Sequence, residues 1–132
     1  MVLGLGIDII EIDRVKKSIE KYGEKFLDKV FTTGEINYCK KKINMYQHYA
    51  ARFAAKEAVY KAMASSWKEG LRWKDIEIEN DHSGMPFVNA KGRLSSFLAK
   101  NFQLKISISH SHNYVTAVAI IFKNSDCRPH TH

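Results

Sequence analysis

The stretch at residues 49–63, Tyr-Ala-Ala-Arg-Phe-Ala-Ala-Lys-Glu-Ala-Val-Tyr-Lys-Ala-Met, is the strongest helix signal in the chain and limits what the rest can build around it. At 3.6 residues per turn Ala51, Ala55, Ala58 and Ala62 fall on one side, while Phe53, Glu57, Tyr60 and Lys61 gather on the other. An alanine face lets a helix lie close against a sheet or a second helix, so the side chains opposite are aimed reproducibly. Glu57 and Lys61 stand at i and i+4, with Arg52 and Lys56 further round. Taken alone, Glu57 and Lys61 are an ordinary exposed pair worth about 0.3–0.5 kcal/mol. A chemical role for them needs a partner elsewhere in the chain.

That partner is Asp8. Residues 3–12 alternate as a strand, with Leu3, Leu5, Ile7 and Ile9 on the face expected to be buried and Gly4, Gly6 and Asp8 on the other. Two glycines beside a carboxylate are read as open space above it. A carboxylate in so apolar a run has to be paired, hydrogen-bonded, metal-bound or protonated, because a bare buried charge is too costly. A backbone cap or a nearby lysine meets that need as well as a cation does. With Glu57 on the helix that covers this strand, the two carboxylates have the oxygens to hold one hard divalent cation. Mg²⁺ is commonly bound in this way, by one or two carboxylates plus water and substrate phosphates. Lys61, one turn beyond Glu57, would stand beside those phosphates as a point charge.

Around this pair the rest of the chain can be laid out. Asp13 is placed to N-cap a helix running to about Gly23, with Val15, Ile19 and Tyr22 inward. Arg14, Lys17, Lys21 and Lys25 form a basic ridge on its outer side and just beyond. Thr32 and Glu35 have capping-box spacing, so a further helix starts there and runs toward Lys42. After the central helix come a loop over 65–74, strands over 75–79 and 85–88 around a turn at 81–84, and a short amphipathic helix with Leu94, Phe97 and Leu98. Strands at 103–109 and 114–122 close the chain as a hairpin, and Pro86 suits an edge strand. The order β, three helical segments, β-β, α, β-β predicts an α+β fold with helices packed on one side of a mostly antiparallel sheet. One domain spans residues 1–123, and the tail at 124–132 has no core pattern and is expected to be disordered.

Hydrophobic residues make up 45% of the sequence and charged residues 27%, and no apolar run approaches the roughly 20 residues of a membrane span. With no signal-peptide pattern at the start, the expectation is a soluble cytoplasmic protein without a membrane partner. Cys39 and Cys127 match no metal or redox spacing. Lys and Arg outnumber Asp and Glu by 21 to 14, a formal charge of +7, which favours an anionic partner. A nucleic-acid module would leave Asp8 and Glu57 without a role, and the basic residues are not interleaved with an aromatic stacking face, so no nucleic-acid partner is expected.

Two motifs narrow the choice among anions. Gly6-Ile-Asp8-Ile-Ile-Glu11-Ile followed by Arg14, and Arg52-Phe53-Ala-Ala-Lys56-Glu57-Ala-Val-Tyr-Lys61-Ala, closely resemble the two signatures of the holo-acyl-carrier-protein synthases, the small bacterial type of phosphopantetheinyl transferase. Phe31-Thr32 with Glu35, Trp73-Lys-Asp75-Ile-Glu-Ile, Gly84-Met-Pro86 and Ser107-Ile-Ser109-His110-Ser111 follow in the family's order, from about Val2 to Phe122.

The resemblance implies Mg²⁺ held by Asp8 and Glu57 together with the pyrophosphate of coenzyme A, and Lys61 in contact with that pyrophosphate. It implies that the serine hydroxyl of an apo acyl carrier protein attacks the β-phosphate, takes on the phosphopantetheine arm and releases adenosine 3',5'-bisphosphate, for fatty acid biosynthesis. Asp8, Glu57 and Lys61 form the catalytic set, with Glu57, directly or through a water, or an acidic residue of the carrier as the general base. Arg52, Lys61, Gly84, Pro86, Ser109 and His110 correspond to the coenzyme pocket. Family members of this length are typically homotrimers with active sites between subunits. Arg14, then Lys21 and more weakly Lys25, correspond to the docking face for the acidic carrier. The sequence departs from the family where a glycine-rich continuation reads Ala64-Ser65-Ser66-Trp67 and where Met85 replaces a lysine, with Lys68 or Arg72 as candidate substitutes. A carrier-binding scaffold without activity would have no need of the matched site residues.

Overall fold

The computed structural model describes residues 1–64, 66 and 70–124. Strand β1 (Val2–Glu11) runs antiparallel to β5 (Tyr114–Lys123), and β5 runs antiparallel to β4 (Phe102–His110), giving a three-stranded sheet of order β1-β5-β4. Strands β2 (Ile76–Asn80) and β3 (Pro86–Ala90) pair as a separate antiparallel ribbon, so the one expected sheet is two among the described residues. Pro86 opens β3 in a ribbon where every strand is an edge.

The helices are α1 (Ile12–Tyr22), α2 (Glu24–Val30), α3 (Thr33–Lys40), α4 (Met45–Met63) and α5 (Gly92–Leu98). Asp13 is not the N-cap of α1: Glu11 holds that position in extended conformation, and Asp13 lies in the first turn, bonded to Lys17 at 3.0 Å. Helix α2 is a fourth helical segment that the pattern did not predict, set off from α1 by Gly23 at φ 58°. The capping box at Thr32 is present in both halves, and a short 3-10 turn at Trp73–Asp75 closes the expected loop and takes in Asp75, expected to open the next strand.

The largest correction concerns β1. Leu5, Ile7 and Ile9, expected inside, are 64%, 64% and 67% exposed, and the face carrying Gly4, Gly6 and Asp8 is the one turned to α4. The glycines do not leave open space. A Cβ on Gly4 would collide with the carbonyl oxygen of Ala62, and one on Gly6 with that of Ala58 while lying 2.6 Å from the Ala62 nitrogen. On the helix side Ala55, Ala58 and Ala62 are fully buried, as their spacing predicts. Missing side chains on both surfaces let α4 lie backbone-close on β1, and Val115, Ala117, Ala119 and Ile121 of β5 complete the core beneath it. No helix among the described residues is long and apolar enough to cross a membrane. The expectations for Ser65, Trp67 and Lys68, and for the tail from Ser125 onward with Cys127, lie outside the described residues.

Candidate active site

Strand β1 and helix α4 bring the sequence's chemical residues together. Asp8 sits on the α4 side of β1, its carbonyl oxygen accepting a 3.0 Å bond from the Thr116 hydroxyl of β5. Lys61 reaches across from α4, its Nζ donating to Asp8 Oδ1 at 3.0 Å and to the Ile7 carbonyl at 3.1 Å. The helix pair read between Glu57 and Lys61 is therefore replaced by a pair between Lys61 and Asp8. Glu57 lies one turn earlier and shares a cavity of about 290 Å³ with Asp8, Arg14, Ser18 and Phe53. A carboxyl at this position is pushed above its ordinary range, first by burial and then by the charge of Asp8, with Lys61 pulling the other way.

Two carboxylates that repel one another across a shared cavity are a donor set that a hard divalent cation relieves. Among the described residues no group of three or more His, Cys, Asp or Glu converges, so the remaining oxygens would have to come from water and ligand. That incomplete protein shell matches the habit of Mg²⁺, and the residues fit it.

On its other side Glu57 borders a larger cavity of about 660 Å³, walled by Tyr60, Leu71, Trp73 and Ile76, with the exposed Lys29, Arg72 and Lys74 at its lining. The Trp73 ring stacks on Phe53 at 5.4 Å, so one aromatic pair links the two cavities that meet at Glu57. Sequence reasoning missed this larger cavity, because its wall is a segment with no periodic pattern.

The remaining predicted residues form a second group. Arg52, 4% exposed, donates from Nη2 to Asn80 Oδ1 at 3.0 Å and lies 4.1 Å from the Tyr38 ring centroid, while its buried Nε has no partner among the described residues. Asn80 in turn donates to the Gly84 carbonyl at 3.1 Å and faces Pro86 across the ribbon, which links three predicted coenzyme residues. His110 meets Gln47 of α4 at 3.3 Å. His48, beside Tyr38, has its basicity lowered by burial and then by Arg52, Lys42 and His110. Ser109 lies on the face of the sheet that carries Ile9, in a shallow cavity that it shares with His110, Ile9 and Thr116. Within one chain these residues do not share the Asp8 and Glu57 cavities. Of the basic ridge, Arg14 reaches the cavity, Lys17 is occupied by Asp13, Lys21 is exposed on the last turn of α1, and Lys25 belongs to α2.

An α+β domain in which β1, α1 and α4 bring Asp8, Arg14 and Glu57 to one cavity, with Lys61 paired to Asp8, has the makings of a phosphoryl-transfer protein that handles anionic ligands. Residues 4–119 match the family model of the 4'-phosphopantetheinyl transferase superfamily, and the chain belongs to that family. The holo-[acyl-carrier-protein] synthase of Protochlamydia amoebophila is 48% identical over 120 residues, 91% of this chain and 98% of that one. That of Solibacter usitatus is 40% identical over 125 residues, 94% and 100% of the two chains. Among solved structures, the holo-[acyl-carrier-protein] synthase of Neisseria meningitidis superposes with a TM-score of 0.84 at 27% identity, covering 93% of this chain and 100% of that one. The Bacillus anthracis holo-(acyl-carrier-protein) synthase in complex with CoA (3',5'-ADP) gives 0.76 at 31% identity, covering 95% and 99%.

Proposed function

We propose that this chain is a holo-acyl-carrier-protein synthase that moves the phosphopantetheine arm of coenzyme A onto a serine of an acidic apo acyl carrier protein, in the cytoplasm and for fatty acid biosynthesis. The observation that carries this reading is the cavity that Asp8, Glu57 and Arg14 share. In this reading Arg14 would dock the carrier beside the two carboxylates that serve the reaction.

The carrier's serine oxygen attacks the β-phosphorus, the bond from that phosphorus to the bridging oxygen breaks, and adenosine 3',5'-bisphosphate leaves. Glu57 takes the hydroxyl proton, directly or through a water. Asp8 and Glu57 would hold Mg²⁺, which would neutralise charge on the phosphate oxygens. Lys61, with its side chain 53% exposed, is free to turn from Asp8 to the pyrophosphate. The cavity lined by Tyr60 and Trp73 on the far side of Glu57 takes the pantetheine arm, a ligand part with apolar stretches and amides. Arg14 and Lys21 receive the acidic carrier, with Lys25 as an outer contact.

A homotrimer completes the site. Leu5, Ile7 and Ile9, paired across the sheet with Ile120, Val118 and Thr116, leave an apolar stripe on the outer face of β1 and β5. Such a stripe marks an interface. Covering it with another subunit would bring Ser109, on that same face, and the Arg52, Gly84, Pro86 and His110 group toward a neighbour's Asp8 and Glu57.

Incubation with apo acyl carrier protein, coenzyme A and Mg²⁺ should add one phosphopantetheine arm to the carrier's intact mass. EDTA and Glu57→Ala should each abolish the gain. No gain with several apo carriers would overturn the reading.

A further inference from the structure

Lys56 and Glu35 are both fully buried, with Nζ 2.9 Å from Oε1. The lysine's two other donors go to the backbone carbonyls of Trp73 and Ile76. The carboxylate also accepts from Thr32 N at 2.9 Å and from Ile78 N at 2.7 Å. Every polar valence of the ammonium group is thus spent, and none is directed at a cavity. Such a pair is not needed for burial alone, since well-packed apolar residues fill the same volume at no loss of stability.

What the pair holds is specific. Trp73 and Ile76 both lie in the wall segment, residues 71–76, that borders the larger cavity, and Glu57, the next residue along α4, borders the same cavity. The ammonium ties that wall to the turn of helix that carries Glu57. Glu35 ties both to the start of α3 and to β2 through Ile78.

We propose that the Glu35–Lys56 pair is a positioning device that sets the distance between the Trp73–Ile76 wall and Glu57, and so fixes the pocket for the pantetheine arm of coenzyme A. The inference rests on the proposed function and adds a role that depends on the arm alone. Adenosine 3',5'-bisphosphate lacks that arm, so its binding is independent of the wall.

The test compares dissociation constants for coenzyme A and adenosine 3',5'-bisphosphate in the wild type, Lys56→Met, Lys56→Gln and Glu35→Gln, each checked for folding by circular dichroism. In Lys56→Met coenzyme A should weaken at least 10-fold while adenosine 3',5'-bisphosphate stays within about twofold. Lys56→Gln, whose amide keeps two donors for the carbonyls, should recover part of the loss. Where Lys56→Met does not fold, Glu35→Gln takes its place with the same expectation. Equal weakening of both ligands, or weakening of neither, would overturn the inference, as would failure of all three variants to fold. A wild type that binds no coenzyme A would instead sink the proposed function, so the two failures are distinguishable.

Discussion

Lys56 and Lys61 stand five residues apart on α4, and each pairs with a carboxylate from another element, Glu35 on α3 and Asp8 on β1. The pairs have nearly the same length, 2.9 and 3.0 Å, and contain the same kinds of group. Burial separates them. At Lys56 both side chains are fully enclosed, and desolvation lowers the lysine's proton affinity even though Glu35 raises it. Its three donors are fixed by three acceptors. At Lys61 the side chain is 53% exposed, and its two acceptors among the described residues leave a donor for an incoming ligand. One pair holds the frame, and the other can exchange its partner for a substrate. On a single helix, solvent access assigns the roles that residue type leaves open.

The comparison breaks most visibly through stability. Glu35→Ala leaves the Lys56 charge buried and unpaired and removes half of a capping box, so a loss of about 3–5 kcal/mol is expected in chemical denaturation. A loss under about 1 kcal/mol would show that the pair does not hold the frame. The open pair should respond in the opposite currency. Lys61→Met should lower transfer about 100-fold, by loss of one charge-stabilising donor, with stability changed by no more than about 1 kcal/mol. Mass-resolved transfer assays beside denaturation curves check both halves. A large stability loss at Lys61 with transfer preserved would reverse the assignment.

How far the sequence announced these roles depends on which forces each residue answers to. The alanine face of α4 was legible because helical periodicity is local, and Asp8 was legible because a carboxylate in an apolar run needs a partner. The sidedness of β1 was not. Alternation tells which residues share a face, and only tertiary packing tells which face is covered; here close backbone approach took the glycine side and left Ile7 exposed. Glu35 was legible as a cap and not as the partner of Lys56, since the 20 positions between them are closed by folding alone. Helix α2 was hidden by its shortness, at 7 residues less than two helical turns of pattern.

Glu57 lies between the two pairs and sharpens the contrast further. Glu57→Gln should lower transfer about 10²–10⁴-fold if this carboxylate is the general base, while the fold stays intact. Transfer by the wild type should fall as acid protonates Glu57, and the fall should move to higher pH as Mg²⁺ is lowered, because the ion opposes the repulsion from Asp8 that raises the carboxyl's proton affinity.

The smallest effect is on stability, and its sign is opposite to that of an ordinary paired carboxylate. Because folding raises the proton affinity of Glu57, the folded state binds more protons than the unfolded state between the usual glutamate value near ~4.3 and the raised one. Its stabilising contribution is complete below the unfolded value and is lost as pH rises through the folded one. Glu57→Gln removes that dependence, so the variant should melt higher than the wild type at neutral pH, and the gap should close toward pH ~4. Millimolar Mg²⁺ should narrow the gap from the other side by stabilising the wild type through binding. Melting curves across pH, with and without the ion, measure all three trends, and a gap that ignores both pH and Mg²⁺ would mean that Glu57 feels neither burial nor Asp8.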